Sequence, residues 1–260
     1  MLDISKLFEL EIKPALGCTE PVAIGYATSL AYNAILGRVP KWLRGRIPIK
    51  YVTDVTPEDV EVDRIEISVD RGILKNALAV GIPRSKGQKG IAIAAAMGIF
   101  CFSEAEGQEM ALFETLQLED LEKAKTLAEK VNIKLINGWE RSEGIQIRAL
   151  VEVKHKRLPE RVLTGAAKIE KTHSNVMSIS VYDSLDQVAE VPSEKKLEIQ
   201  REDLGVEDRL KAMNISEIVA ELEALPEDVV EKMIQLVEMN IAASEEGLRR
   251  TKGLGGCLKM

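Results

Sequence analysis

The sequence predicts an α+β protein in which helices pack against a mostly antiparallel sheet. Two observations predict this class. Helical patterns come first along the chain, and several strand patterns with tight connections then follow one another. The chain has 260 residues, of which 45% are hydrophobic and 30% are charged. That is enough apolar material for a buried core, so disorder is excluded as the main state.

Charge and cysteine content exclude several classes of protein. The formal net charge of −7 argues against nucleic acid as a partner, because phosphate binding needs a positive field. Three cysteines are too few for a disulfide-stapled scaffold. Residues 21–37 contain polar interruptions and residues 90–102 are too short for a membrane span, which needs about 20 apolar residues. The N-terminus lacks the basic region of a signal peptide, so we expect a cytoplasmic protein with no membrane partner.

The first half of the chain alternates between helical and strand patterns. A second helix over 22–36 follows a first helix over 4–12, with Thr19 as its N-cap, Pro21 in its first turn and Gly37 at its end. Residues 60–69 alternate apolar and charged side chains, which predicts a half-buried strand. A turn rich in glycine and cations precedes an apolar helix over 91–100, and an amphipathic helix covers 116–130.

The second half begins with strands and ends with helices. Strands are predicted over 132–136, 144–154, 161–171 and 176–182. Helices are predicted over 215–225, where Asn214 is the cap, and over 229–247. These patterns predict an α+β domain over 1–185, a charged linker or excursion over 186–210, and a C-terminal helical segment over 211–260.

One candidate site lies in the segment Pro14-Ala-Leu-Gly-Cys-Thr-Glu-Pro21. A thiol at the start of a helix feels the positive end of the helix dipole, so we expect a lowered pKa for Cys18. Such a thiolate can bind a soft metal or act as a nucleophile. The alternative is a buried cysteine that acts as a small hydrophobic residue. Cys101 lies within an apolar helix and is expected to be inert core, whereas Cys257 is expected to be exposed.

Two further segments suggest a site for an amino acid. The turn over 81–90 offers backbone amides, Arg84 and other cations to a carboxylate, although an ordinary surface turn is equally compatible. His173 and Asn175 lie between two predicted strands, where a turn can expose an imidazole as a proton carrier. An ordinary turn is again the alternative. Lys75 alone does not support pyridoxal phosphate chemistry.

These segments, taken in order, resemble the L-cysteine desulfidase family, whose members are relatives of the α part of iron–sulfur L-serine dehydratases. The resemblance covers about residues 10–255. It is carried by the following matches: Pro14-Ala-Leu-Gly-Cys-Thr-Glu-Pro-Val-Ala23, Lys75-Asn-Ala77, Val80-Gly-Ile-Pro83, His173-Ser-Asn175, Asn240-Ile-Ala242 and Gly253-Leu-Gly255. Arg84 and Ser85 stand where this family usually has Gly-Thr.

The resemblance implies β-elimination from L-cysteine, or from L-serine, to give pyruvate and ammonia. It also implies a [4Fe–4S] cluster in place of pyridoxal phosphate. Cys18 matches a cluster ligand, with Thr19 and Glu20 beside it and His173 as the proton-transfer candidate. The residues implied to bind the substrate are Lys75, Asn76, Arg84, Ser85 and Asn175.

Members of the family are longer, and their C-terminal part supplies further cluster cysteines. We therefore expect this chain to be incomplete on its own. It could be one half of a split lyase that is completed by a separate C-terminal chain or by a homo-oligomer. It could instead be a non-catalytic truncated homologue or a module that binds small amino acids. A standalone enzyme without the full cluster is the third possibility.

Overall fold

The structure, a computed structural model, describes residues 17–51, 54–136, 144–184 and 212–249. These residues fall into two compact units, one containing 17–184 and the other containing 212–249. The helix predicted over 4–12, the linker predicted over 186–210 and Cys257 lie outside the described residues.

A five-stranded sheet forms the centre of the first unit. Its strands are β1 (Val60–Val69), β2 (Val131–Leu135), β3 (Ile145–His155), β4 (Val162–Lys171) and β5 (Val176–Asp183). Their spatial order is β2-β1-β3-β4-β5. β2 runs parallel to β1, and every other neighbouring pair is antiparallel. The predicted α+β class with a mostly antiparallel sheet is therefore confirmed.

One face of this sheet carries the core. Along β3, Ile147, Ala149 and Val151 are buried, whereas the intervening Arg148 and Leu150 are exposed. This alternation follows from the two-residue period of a strand, and it leaves the side chains of the other face accessible to solvent.

The helices of the first unit are α1 (Thr19–Ile35), α2 (Arg71–Ala77), α3 (Ile91–Gly98) and α4 (Leu118–Leu127). Short 3₁₀ turns occupy Lys41–Leu43, Pro57–Asp59, Glu109–Thr115 and Ala128–Lys130. α1 packs against β3, β4 and β5, and α3 packs against α1. α1 and α3 are almost entirely buried. The two apolar segments that the sequence analysis excluded as membrane spans are thus helices of the core.

Both ends of α1 have defined geometry. The prediction that Thr19 is the N-cap was wrong, because Cys18 has the extended backbone of the cap and Thr19 is the first helical residue. The end at Gly37 was correct. Gly37 has a φ of 69°, its N–H bonds to the carbonyl of Ala34, and the next N–H bonds to the carbonyl of Asn33. This pair of bonds is a Schellman motif, which glycine favours because a positive φ costs it nothing.

Glycines let α1 approach its neighbours at backbone distance. A β-carbon on Gly98 of α3 would overlap the backbone of Gly25, and one on Gly165 of β4 would overlap the carbonyl of Ala31. α1 is therefore held between β4 and α3 by contacts that leave no room for a side chain.

α1 and α3 run in the same direction. Gly25 on α1 meets Ala94 and Gly98. One turn further along α1, the hydroxyl of Ser29 donates to the carbonyl of Cys101, which follows α3. Contacts that advance together along both chains require parallel helices, so the N-termini of α1 and α3 lie at the same end of the helical layer.

α2 was not predicted as a helix. Its N-cap is Asp70, whose carboxylate accepts hydrogen bonds from the backbone N–H groups of Gly72 and Ile73. The other oxygen of Asp70 accepts a hydrogen bond from the N–H of Gln146 at 2.6 Å. Asp70 therefore ties the start of α2 to the start of β3.

The second unit consists, in its described part, of two helices, α5 (Ile215–Glu223) and α6 (Glu227–Arg249). Asn214 caps α5 as predicted, in a capping box with Glu217. Neither helix contains a buried residue. No helix in the four described ranges is both long enough and apolar enough to cross a bilayer.

Candidate functional site

The carboxylate of Glu20 joins the start of α1 to the end of α2. Cys18 donates its thiol proton to one oxygen of Glu20 at 2.7 Å, and the side-chain amide of Asn76 donates to the other oxygen at 2.8 Å. Glu20 lies in the first turn of α1, and Asn76 lies in the last turn of α2. Cys18 and Asn76, two candidate site residues from the sequence, therefore both donate hydrogen bonds to Glu20, which is a third.

The pKa of the Cys18 thiol is raised, not lowered as we had expected from its place at a helix N-terminus. Partial burial is the largest cause, and the hydrogen bond to the carboxylate of Glu20 adds to it. An anionic acceptor favours the protonated thiol. Burial and this acceptor together outweigh the backbone N–H of Glu20, which lowers the pKa of the thiol. Cys18 is therefore held as a neutral thiol.

Glu20 shows the opposite behaviour. Its partial burial alone would raise its pKa, but the hydrogen bonds from Cys18 and Asn76, together with the nearby imidazole of His173, outweigh burial and lower it. Glu20 is therefore ionised at neutral pH. His173 thus belongs to the same group of side chains as Cys18, Glu20 and Asn76, which we name the Glu20 cluster.

His173 is presented by the turn between β4 and β5. Its Nε2 atom is buried and has no hydrogen-bond partner within the described part of the chain. The turn begins at Lys171, which has a φ of 71°, a conformation that costs a residue with a side chain about 1–2 kcal/mol. A β-carbon on the facing Gly144 would overlap the backbone of Lys171. The backbone of Lys171, in its strained conformation, therefore packs directly against Gly144.

Asn175 stabilises the same turn. Its side-chain amide donates to the carbonyl of Glu170 at 2.9 Å, and its own carbonyl accepts from the N–H of Glu170. The geometry thus gives Asn175 a part in holding His173 in place.

The turn over 81–90 closes on itself. The N–H of Ile82 bonds to the carbonyl of Gln88, and Gly81 pairs with Lys89. Ser85 is fully buried, and its hydroxyl donates to the carbonyl of Ile82 at 2.7 Å. The hydroxyl of Ser85 is thus used inside the turn, while Arg84 beside it is exposed with a φ of 60°.

The turn leads to the same end of the molecule as the Glu20 cluster. It ends at Gly90, which caps α3 and approaches the carbonyl of Leu78, just after α2. Because α1 and α3 are parallel, the positive ends of both helix dipoles lie at this end. Lys75 is exposed on the last turn of α2, and Thr19 is half-buried at the start of α1.

The described residues do not contain a ready metal centre. In ranges 17–51, 54–136, 144–184 and 212–249, no three His, Cys, Asp or Glu side chains are grouped so that they could hold a metal ion. Cys101 is buried in the core as predicted, and burial raises its pKa to about 12.

The sequence analysis did not identify Lys171, which begins the turn that carries His173, or Asp70, which caps α2. The left-handed conformation of Lys171 has no sequence signal, because a residue with a side chain rarely adopts it. Asp70 did have a signal. An Asp that directly ends an alternating strand and precedes apolar residues at 73, 74 and 77 is typical of a helix cap.

Comparison with known proteins gives relatives but no activity. The chain is 30% identical over 253 residues to a UPF0597 protein of Clostridium perfringens, covering 96% of this chain and 48% of that protein. It is 27% identical over 256 residues to one of Caldanaerobacter subterraneus, covering 98% and 51%. A Clostridium botulinum relative is 25% identical over 252 residues, covering 97% and 50%. The chain thus spans about half the length of these relatives.

No family model matches the chain. No solved structure matches it either.

Proposed function

We propose that the chain is one part of a β-eliminating lyase that acts on a small β-substituted amino acid, L-cysteine or L-serine. In this reaction the Cα–H bond and the bond from Cβ to sulfur or oxygen break, and a Cα–Cβ double bond forms. The sulfur leaves as hydrogen sulfide, or the oxygen as water. The resulting aminoacrylate then takes up water and yields pyruvate and ammonia. The observation that carries the proposal is the Glu20 cluster, in which a carboxylate, a thiol, an amide and an imidazole meet at one end of α1.

His173 is the candidate base for the α-proton. Its buried Nε2 makes no hydrogen bond within the described residues, so a lone pair there is available to accept a proton. The ionised carboxylate of Glu20 is close enough to interact with His173 electrostatically.

The substrate carboxylate would bind near the starts of α1 and α3. The positive ends of two helix dipoles favour an anion there, and Lys75 and Arg84 are exposed cations on adjoining segments. The amide of Asn76 and the carboxylate of Glu20 offer a donor and an acceptor for the remaining polar groups. Thr19 and Asn175 border these groups in sequence, whereas the buried Ser85 holds the turn over 81–90 closed.

The iron–sulfur cluster implied by the resemblance does not fit the described residues alone. A cluster with one open iron needs three protein ligands. Cys18 is half-buried, but it keeps its proton and donates it in a hydrogen bond to Glu20, and Cys101 is buried in the core. The missing ligands would have to come from residues outside the described ranges, from a separate C-terminal chain or from a second copy.

The second candidate function is a module that binds small amino acids without turnover. It is favoured by one observation, that Cys18 is held as a neutral thiol by its hydrogen bond to Glu20. The two functions differ in their products, since a binding module retains the amino acid and a lyase releases pyruvate.

The test is a lyase assay after anaerobic reconstitution with iron and sulfide. The full chain is assayed with cysteine and with serine, alone and together with the separately expressed part of the Clostridium perfringens relative that this chain does not match. We expect pyruvate release only when both polypeptides are present. Binding of cysteine without any pyruvate in either condition would favour the amino-acid-binding module.

The variant that tests the role of the imidazole is His173→Asn. We expect kcat to fall by about a hundredfold or more, because a positioned base contributes about 10²–10⁴ to the rate, whereas cysteine affinity changes little. His155→Asn is the matched control, since His155 lies at the end of β3, where its Nδ1 accepts a hydrogen bond from the N–H of Arg157. Equal rates for the two variants would contradict a role for His173 in proton transfer.

A further inference from the structure

The hairpin formed by α5 and α6 exposes a continuous apolar groove. Its volume is about 500 Å³. The residues that line it are Leu222, Leu225, Val230, Met233, Ile234, Val237 and Glu238. Val237 and Ile234 are 58% and 51% exposed, values that are unusual for large aliphatic side chains grouped on one surface. The groove therefore has the composition of a surface that another polypeptide covers.

The described residues of the hairpin bury little apolar surface among themselves. Neither helix has a buried residue, and α5 has only nine residues. Isolated helices shorter than about 12–15 residues are marginal in water, and helices in proteins depend on the burial of an apolar face. A covering partner would supply that burial.

The charge of the hairpin restricts what the partner can be. Residues 212–249 contain nine acidic side chains but only two basic ones, so their formal net charge of −7 equals that of the entire chain. Glu231 and Glu238 lie three residues before and four residues after Ile234, which makes them its neighbours on the surface of α6. A second copy of the same face would bring like charges together, whereas a partner with basic side chains around an apolar strip would be attracted.

The relatives indicate where such a partner is found. Relatives from three bacteria match this chain over 96–98% of its length, yet the match covers only 48–51% of each relative. A polypeptide equivalent to the unmatched half is therefore a component that accompanies this fold in those proteins.

We infer that the apolar groove of the α5–α6 hairpin is the docking surface for a polypeptide equivalent to the unmatched half of the relatives, bound through an apolar strip flanked by Lys and Arg. This inference rests on the two-part form of the proposed function but not on its chemistry.

The experiment measures binding of the full chain to the separately expressed, unmatched part of the Clostridium perfringens relative. Isothermal titration calorimetry is expected to give a dissociation constant in the micromolar range or tighter, which weakens as salt is added because the hairpin is acidic. Ile234→Glu is expected to weaken binding at least tenfold. Gln235→Glu is the matched control, because it adds the same charge at the next position of α6 but does not line the groove.

Four results would overturn the inference. They are no binding by the unaltered chain, equal loss of affinity in the two variants, a dimer of the chain itself that Ile234→Glu abolishes, and binding that appears only after residues 1–12 are removed. The third would assign the groove to a second copy, and the fourth to the chain's own N-terminal segment. Circular dichroism checks that both variants keep the helix content of the unaltered chain.

The outcome is separable from that of the lyase proposal. Binding through the groove without pyruvate release would refute the lyase and leave the docking surface intact. Pyruvate release by the two polypeptides that Ile234→Glu leaves unchanged would refute the docking surface and leave the lyase intact.

Discussion

At the scale of single residues, Glu20 determines the chemical state of its neighbours. It accepts hydrogen bonds from Cys18 and Asn76, and its lowered pKa means that the folded protein favours the ionised carboxylate. Because the pKa is lower in the folded state than the ordinary value of 4.5, this group stabilises the fold above about that pH. The contribution is lost as the pH falls through the lower, folded-state pKa.

The first prediction concerns the thiol of Cys18. Glu20→Gln removes the anionic acceptor and its charge, so the pKa of Cys18 should fall and more thiolate should be present at pH 8. In a Cys257→Ser background, the reaction of Cys18 with a thiol reagent should become at least about twofold faster, because the thiolate is the reacting form.

The exposed Glu119 provides the control for this experiment. Glu119→Gln removes the same charge in the first turn of α4 and should leave the rate unchanged. A reaction of Cys18 that slows in Glu20→Gln would show that the carboxylate does not hold the thiol proton.

The residues of the site were predictable to different degrees. The motif around Cys18 and the turn around His173 were identified in the sequence, and the structure brings both to Glu20. The predicted lowering of the Cys18 pKa was wrong, because the burial of the thiol and its side-chain partner both depend on tertiary packing that no sequence pattern encodes. The position of Ser85 illustrates the same limit, since a serine in a polar turn gives no sign that its hydroxyl faces inward.

At the scale of elements, the parallel packing of α1 and α3 controls where the site forms. Their close approach at Gly25 and Gly98 fixes the distance between the two helix N-termini. The buried hydrogen bonds from Ser29 and Asn33 to the carbonyl of Cys101 fix the position of one helix along the other. A substitution at either contact should therefore change the positions of the side chains in the Glu20 cluster.

The second prediction tests the close approach. Gly98→Ala should lower the free energy of unfolding by about 2–3 kcal/mol, because the added methyl group overlaps the backbone of Gly25 and the helices must separate. Urea denaturation measures this change. Gly81→Ala is the control, since a β-carbon there meets no atom within 4 Å. Similar stability of the two variants would show that α1 and α3 can move apart at little cost.

Most elements could be predicted from their periodicity. The strand over 60–69 and the ends of β3, β4 and β5 agree with the prediction to within one residue, because alternating burial leaves a clear two-residue pattern. α2 was missed since it has only seven residues and includes Gly72, which is too short for the helical period to stand out. The parallel pairing of β1 with β2 also has no local signal, because it depends on the path of the chain through α3 and α4.

At the scale of the whole molecule, burial and charge are divided unequally between the two units. The unit containing residues 17–184 carries the described core, whereas residues 212–249 carry a net charge equal to that of the chain and bury no side chain. Local stability follows buried apolar contact, so the two units should open with very different free energies.

The third prediction measures this difference by hydrogen exchange. Backbone amides of α5 and α6 should exchange at least about a hundredfold faster than those of β3 and β4, which lie at the centre of the sheet. α4 is the matched control, because it is a charged helix that buries Leu121 and Ala124 on one face. Equal protection of α4 and α6 would show that the hairpin is already covered in the chain alone.

The glycine contacts of α1 also bear on how this protein tolerates evolutionary drift. Where two backbones touch directly, their spacing does not depend on the volume of any side chain, so neighbouring core residues can be exchanged without altering the width between the helices. Proteins that have diverged to 25–30% identity can in this way inherit the same spacing of α1 from α3 and β4, provided that positions 25, 98 and 165 remain glycine.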